Sequence, residues 1–250
     1  LTIDTINYYS HAIRLIDLTS LNNNDSHKNI TDLCNKAKSP QGNVATVCVY
    51  PKFIKTARSC LDSLELNQVK ITTVCNFPHG NYKIETVLAE IETAISLGAN
   101  EIDVVIPYNK LIANKDTNTP YKLLRAAKEI CESTIKLKAI IESGVLQYNS
   151  LITDATYLSI DAGVDFIKTS TGKVPNNASL ASAECILNAI KKYSSSVGFK
   201  ASGGIKLAEE AIRYLQLAEN IMGKNWISVD TFRFGASSLL DSLVRPLKAT

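Results

Sequence analysis

The sequence is poor in the residues that build metal centres. It has three histidines, His11, His27 and His79, with no His-Glu-x-x-His pair and no His/Cys cluster, so a metal site has little to be made from and none is expected. The six cysteines, Cys34, Cys48, Cys60, Cys75, Cys131 and Cys185, are scattered, and none forms Cys-x-x-Cys. That argues against a zinc knuckle or a thioredoxin-type motif and leads to an expectation of reduced, mostly buried thiols in a cytoplasmic protein. No Gly-x-Ser-x-Gly elbow occurs, and no Gly-x-Gly-x-x-Gly follows an early strand. No stretch approaches the roughly 18 consecutive apolar residues of a membrane span. The N-terminal residues show no charged region followed by an apolar run, so no secretory signal is expected. The net charge of +3 is spread along the chain without a Lys/Arg run, which speaks against a nucleic-acid partner.

What is present is a repeat of short apolar runs. They begin at Leu15-Ile16-Asp17-Leu18 and continue at 44–49, 69–75, 101–106, 137–141, 164–168 and 197–200, ending at Phe232-Arg233-Phe234. Most are rich in β-branched residues, which is strand chemistry, and they recur roughly 30 residues apart, the size of one βα unit. Segments with helical periodicity lie between them. In Lys83 to Leu97, for example, Ile84, Val87, Leu88, Ile91, Ala94 and Ile95 share one face and Gly98 follows. Alternating strand and helix predicts a parallel sheet. Eight units in 250 residues predict a single α/β domain over 1–250, a closed (β/α)8 barrel. A doubly wound open sheet is the alternative. The polar stretches at 22–28 and 114–120 read as loops, the first leading into a helix with Ser26 or Asn29 as its cap.

Charges stand inside or at the ends of these apolar runs: Asp17, Asp103, Glu142, Lys168 and Lys200. Burying a charge costs several kcal/mol unless it is paired or neutralised. A buried ion pair, such as Lys168 with Asp103, is the structural explanation. The chemical one rests on two lysines ending consecutive strands: each raises the cost of charging the other, and desolvation adds to it. One of them should then lose its proton near neutral pH and become a nucleophile for carbonyl groups. Both explanations stand at this point.

Two glycine-containing segments follow the last strands, Lys200-Ala201-Ser202-Gly203-Gly204 and Gly235-Ala236-Ser237-Ser238, the second opening a helical run. A third, Thr169-Ser170-Thr171-Gly172-Lys173, follows Lys168 directly. Each alone is an ordinary turn. Together, after the late strands of a barrel, they suit a phosphorylated substrate held by backbone N–H groups.

The chain resembles the 2-deoxy-D-ribose-5-phosphate aldolase family along nearly its whole length. The resemblance is carried, in order, by LIDLTSL (15–21), GNVATVCVYP (42–51), TTVCNFPHG (72–80), GANEIDVVIP (98–107), GVDFIKTSTGK (163–173), GFKASGG (198–204) and RFGASSLL (233–240). It implies that Lys168 forms a Schiff base, that Lys200 keeps Lys168 deprotonated, and that Asp103 relays protons with Lys200 and a water. It places Asp17, Cys48 and Thr171 near the substrate, and Gly172, Lys173, Gly203, Gly204, Gly235, Ser237 and Ser238 around its phosphate. The implied partners are a sugar phosphate and acetaldehyde, with no cofactor and no metal; a homodimer is the family's usual state. Ser143 stands where many relatives have Thr, and Ala-Ser-Gly-Gly where close relatives have Pro-Ala-Gly-Gly. Longer relatives carry a tail ending in Tyr where this sequence reads Lys248-Ala249-Thr250. Two other readings remain at this level: another lysine-dependent barrel aldolase, and a phosphate-binding barrel without covalent chemistry.

Overall fold

The structure is a computed structural model that describes residues 3–247; the C-terminal departure at 248–250 lies outside the described residues. Eight strands form the barrel: β1 (Ile16–Ser20), β2 (Thr46–Val49), β3 (Lys70–Cys75), β4 (Glu101–Val105), β5 (Lys136–Ile140), β6 (Phe166–Lys168), β7 (Gly198–Ser202) and β8 (Phe232–Ala236). Each pairs in parallel with its neighbours in sequence, and β8 closes on β1, so the closed barrel replaces the open-sheet alternative. The helices are α1 (Ile3–Arg14), α2 (His27–Lys36), α3 (Ile54–Ser63), α4 (Ile84–Ser96), α5 (Tyr108–Asn114), α6 (Asn118–Cys131), α7 (Ser143–Leu146), α8 (Asn149–Asp161), α9 (Leu180–Tyr193), α10 (Ala208–Met222) and α11 (Leu239–Leu247). No described helix is long and apolar enough to cross a membrane.

Side chains on a strand alternate between two faces, and here the two faces differ in chemistry. Ile102 and Val104 of β4, Leu137 and Ala139 of β5, Ile167 of β6, and Phe232 and Phe234 of β8 join the core shared with the helices. There they meet Val87 and Ile91 of α4, Leu123 and Leu124 of α6, and Ile186 and Ile190 of α9. Burial of this layer, at about 25 cal/mol per Å² of apolar surface, is the main force holding helices to barrel. The residues between them, Glu101, Asp103, Lys138, Phe166, Lys168 and Arg233, are buried on the opposite face, inside the barrel.

Two loop expectations are refined. Ser26 caps α2 in a capping box: its side chain accepts from Asn29 N–H while the Asn29 side chain accepts from the Ser26 N–H, so both candidate cap residues act together. The 114–120 stretch is not a loop throughout. α5 runs to Asn114 and α6 starts at Asn118, because the Asp116 carboxylate accepts from the N–H groups of Asn118 and Thr119, at 3.0 Å each, and from the Thr119 hydroxyl at 2.6 Å. Its polarity is that of a helix start. A short antiparallel hairpin, Lys38–Ser39 with Gly42–Asn43, precedes β2 and was not legible as strand.

Candidate active site

Strand register assembles the interior charges. Asp103 lies beside Lys138, Lys168 beside Lys200, and Lys200 beside Arg233 on adjacent strands. Asp103 is the hub. Its Oδ1 accepts from Lys138 Nζ at 2.8 Å, and its Oδ2 accepts from both Lys168 and Lys200 at 2.8 Å. Lys200 Nζ also stands 2.5 Å from Asp17 Oδ2, whose other oxygen accepts from Arg233 Nη1 at 2.6 Å. Arg233 continues to Glu101 at 3.0 Å, and Glu101 returns to Lys138 at 2.6 Å. Beneath them the Arg233 guanidinium stacks 5.5 Å from the centre of the Phe166 ring. Phe166 fits because a Cβ on the facing Gly198 would lie 2.5 Å from the ring.

Asp103, Lys168 and Lys200, singled out in the sequence, are therefore in direct contact, and Asp17 is the second carboxylate on Lys200. The ion pair of Lys168 with Asp103 is present, and Lys168 shares that carboxylate with two other lysines. Glu101, Lys138 and Arg233 were missed as site residues. They sit at the starts or middles of strands, where a charge also reads as an outward polar position. The signal available was the alternation Glu101-Ile102-Asp103 and Lys136-Leu137-Lys138, which puts a charge on the inward face.

The electrostatics separate the two lysines. Burial lowers the Lys168 pKa below its ordinary value; Asp103 pulls it back up only in part, and the charge of Lys200 pushes it down further. Burial would lower Lys200 too, but Asp103 and Asp17 together outweigh it and raise its pKa above the ordinary lysine value. Lys138, shared by Asp103 and Glu101, is likewise raised. Burial alone would raise Asp103, but Lys138, Lys168 and Lys200 hold it well below the usual carboxylate range. Asp17 is lowered against its burial by Lys200, Arg233 and Lys138. Four cations thus meet three carboxylates, and the surplus proton is most weakly held on Lys168. Burial raises the Cys48 thiol, against the opposing charges of Lys200 and Lys168.

The loops assigned to a phosphate in the sequence meet at one cavity. Thr171, Gly172, Lys173, Gly203, Gly204, Gly235 and Ser237 line one cavity of about 350 Å³. Ser238, also assigned to the phosphate, is not in that lining; it is exposed just before α11. Lys36 and Lys206 are in the lining and were not foreseen. Gly203 and Gly204 both have φ near +86°, a region open to glycine. Gly235 makes room for Lys200, whose Cε would stand 3.0 Å from a Cβ there.

These loops are clasped to one another. Thr169 Oγ1 donates to Ser202 O and accepts from Ser202 N–H. The Thr171 hydroxyl donates to Glu142 at 2.6 Å and accepts from Lys173 N–H at 3.0 Å. Lys173 Nζ reaches across to Leu21 O at 2.5 Å. Burial raises Glu142 above its usual pKa despite the Thr171 hydrogen bonds. His79, in the loop after β3, is exposed. Its loop is ordered by Asn76 instead, which donates to Val105 O and accepts from Tyr82 N–H.

Residues 11–244 match the description "DeoC/LacD family aldolase". Among solved structures, a chain from Toxoplasma gondii ME49, provisionally assigned as a deoxyribose-phosphate aldolase, superposes with a TM-score of 0.92 at 22% identity, covering 99% of this chain and 96% of that one. One from Coccidioides immitis, with the same provisional assignment, gives 0.84 at 28% identity, covering 96% and 87%. The tetrameric deoxyribose phosphate aldolase of Aeropyrum pernix gives 0.76 at 21% identity, covering 100% and 99%.

Proposed function

This chain belongs to the DeoC/LacD family of aldolases, and on that premise we propose that it cleaves 2-deoxy-D-ribose 5-phosphate reversibly to acetaldehyde and D-glyceraldehyde 3-phosphate through a Schiff base on Lys168. The observation that carries the reading is the inequality between two adjacent lysines. Lys200 contacts two carboxylates, Asp17 and Asp103, whereas Lys168 contacts only Asp103, so Lys168 is the amine that is neutral and nucleophilic. It also lies directly before the loop Thr169–Lys173, which lines the anion cavity.

In cleavage, the Lys168 amine attacks the C1 aldehyde of the open-chain sugar, and the carbinolamine loses water to an iminium. The C3 hydroxyl gives up its proton, C3 becomes an aldehyde, and the C2–C3 bond breaks. Its electron pair moves through C1 to the iminium nitrogen, leaving an enamine. Protonation at C2 and hydrolysis release acetaldehyde and restore the lysine. The iminium serves as the electron sink, so the proposed reaction needs no metal. Asp103 and Lys200, in contact at 2.8 Å, are the pair proposed to move protons through a water, an effect of about 10²–10⁴-fold in rate. Gly172, Lys173, Gly203, Gly204, Gly235 and Ser237 hold the 5-phosphate by backbone N–H groups, a hydroxyl and one ammonium. A role in the degradation of deoxyribose phosphates follows from this substrate.

The test is release of both products from 2-deoxy-D-ribose 5-phosphate. Equimolar acetaldehyde and glyceraldehyde 3-phosphate from the folded protein are expected. Turnover only with dihydroxyacetone phosphate as donor would reassign it to another lysine aldolase, and no release with either would contradict the reading.

A further inference from the structure

Behind the phosphate loop lies a second and larger cavity, of about 690 Å³. It opens between α7, the loop 175–179, the start of α9 and the face of α10 that carries Arg213 and Tyr214. Gly203, Gly204 and Ile205 line both this cavity and the front one. The loop that faces the phosphate is therefore the partition between two chambers, and nothing in the proposed reaction uses the rear one.

The rear wall holds polar groups without partners. Ser143 is 2% exposed, lies in this wall, and its hydroxyl has no hydrogen-bond partner among the described residues. Asn177 donates to Val174 O, but its Oδ1 is buried and unpartnered among the described residues. Its side chain stands where a Cβ on Gly203 would be, 2.7 Å away. A buried polar group left unpaired is destabilising, and most such groups in folded proteins are satisfied. Ser143 follows Glu142, whose carboxylate holds Thr171 of the front loop, so the two chambers are joined on this side as well.

The remaining lining sets the chemistry. Arg213 makes no salt bridge among the described residues; its charge acts on the neighbouring Glu210, whose carboxylate accepts from the N–H groups of Lys206 and Leu207 at 2.8 and 2.9 Å. Leu180 and Ala181, in the first turn of the 14-residue helix α9, lie in the same wall; Ser179 caps the Ser182 N–H there in a capping box, and the positive end of the helix favours an anion. Tyr214, Ile152 and Ile205 supply an apolar side. The volume lies in the range of small-molecule sites, about 300–1,000 Å³.

We propose that this rear cavity is a second ligand site, for an organic anion with a planar apolar part, of the size of a nucleoside monophosphate. Arg213 and the start of α9 take the anionic group, the Tyr214 side takes the planar part, and the Gly203–Ile205 partition senses occupancy. By linkage, a ligand here alters phosphate affinity in front as much as phosphate alters its own.

The test uses adenosine 5′-monophosphate as probe on the full chain, read by titration calorimetry, which requires no turnover and so does not depend on the proposed reaction. The expected result is saturable binding at one site per chain. Arg213→Ala should weaken it by about tenfold or more, as for loss of a charged hydrogen bond. Ala178→Trp should abolish it by filling the cavity, with the fold verified by circular dichroism, and Lys173→Ala in the front cavity should leave it unchanged. Absence of saturable binding to the unmodified protein would overturn the proposal. So would binding that survives Arg213→Ala, or binding that is lost with Lys173→Ala.

Discussion

The two faces of one barrel strand solve opposite problems. On β4, Ile102 and Val104 pack outward against helices, while Glu101 and Asp103 point inward to three lysines and an arginine. β5 and β6 repeat the division, with Leu137 and Ile167 outside and Lys138 and Lys168 inside. The outer layer holds the fold by apolar burial. The inner layer holds seven ionisable groups in a buried space, an arrangement that contributes little net stability when complete and costs heavily when one member is removed. Stability and chemistry thus reside on alternate residues of the same strands, and substitutions one position apart should separate them.

The widest separation is expected between Lys168 and its neighbour Ile167. Lys168→Met should lower aldol cleavage by about 10⁴-fold or more, as for loss of a nucleophile, with a modest change in melting temperature, because Asp103 keeps two other lysines. Ile167→Ala should do the reverse, destabilising by about 2–5 kcal/mol while each folded molecule keeps its turnover. Parallel assays and denaturant titrations of the two variants check this. Equal losses of activity and stability in both would break the division.

The inner layer is itself uneven. Lys138 joins Asp103 to Glu101 and has no place in the proposed covalent steps. Lys138→Met should cost about 3–5 kcal/mol, the range for breaking a buried pair, measured by chemical unfolding. Next in size is Lys200→Met. It removes a charge that lowers Lys168 and frees Asp103 for it, so the Lys168 pKa should rise. The pH profile of turnover, which climbs as Lys168 deprotonates, should move to higher pH, with the rate at neutral pH falling about 10²-fold. An unmoved profile would detach Lys200 from Lys168.

The smallest effect compares the barrel centre with its mouth. Asp17, Glu101 and Asp103 have pKa values lowered by folding, so their contribution to stability is present above the unfolded carboxylate range and lost as pH falls through their folded values. Glu142 is raised, so its contribution is present at low pH and lost as pH rises through its folded value. Glu142→Gln should therefore flatten the stability curve on the side above pH 4.5, by about 1 kcal/mol, and leave the acid side unchanged.

This division also explains what was legible in the sequence. Outward residues write the strands as apolar runs, and all eight barrel strands were read from them. The amphipathic helices α4, α6, α8, α9 and α10 announced themselves through one apolar face. α3 and α5, short and bracketed by runs already read as strand and loop, did not. Of the inward charges, Lys168 and Lys200 were found at strand ends and Asp17 and Asp103 inside apolar runs. Glu101, Lys138 and Arg233 were not, because a single charge in or beside a strand also reads as an ordinary outward polar position. Which of the two lysines has the lowered pKa came from the family resemblance and not from spacing, since it depends on how three carboxylates are divided among four cations in space. The rear cavity was equally hidden, its wall being assembled from loops that are distant in the chain.

The central claim is that Lys168, alone among the buried lysines, is free to bond carbon. Intact-protein and peptide mass spectrometry after incubation with acetaldehyde and borohydride tests it most directly. The account predicts one irreversible ethyl group on the chain, located at Lys168 and absent in Lys168→Met. An unmodified folded protein, or an ethyl group on Lys138 or Lys200 instead, would contradict it.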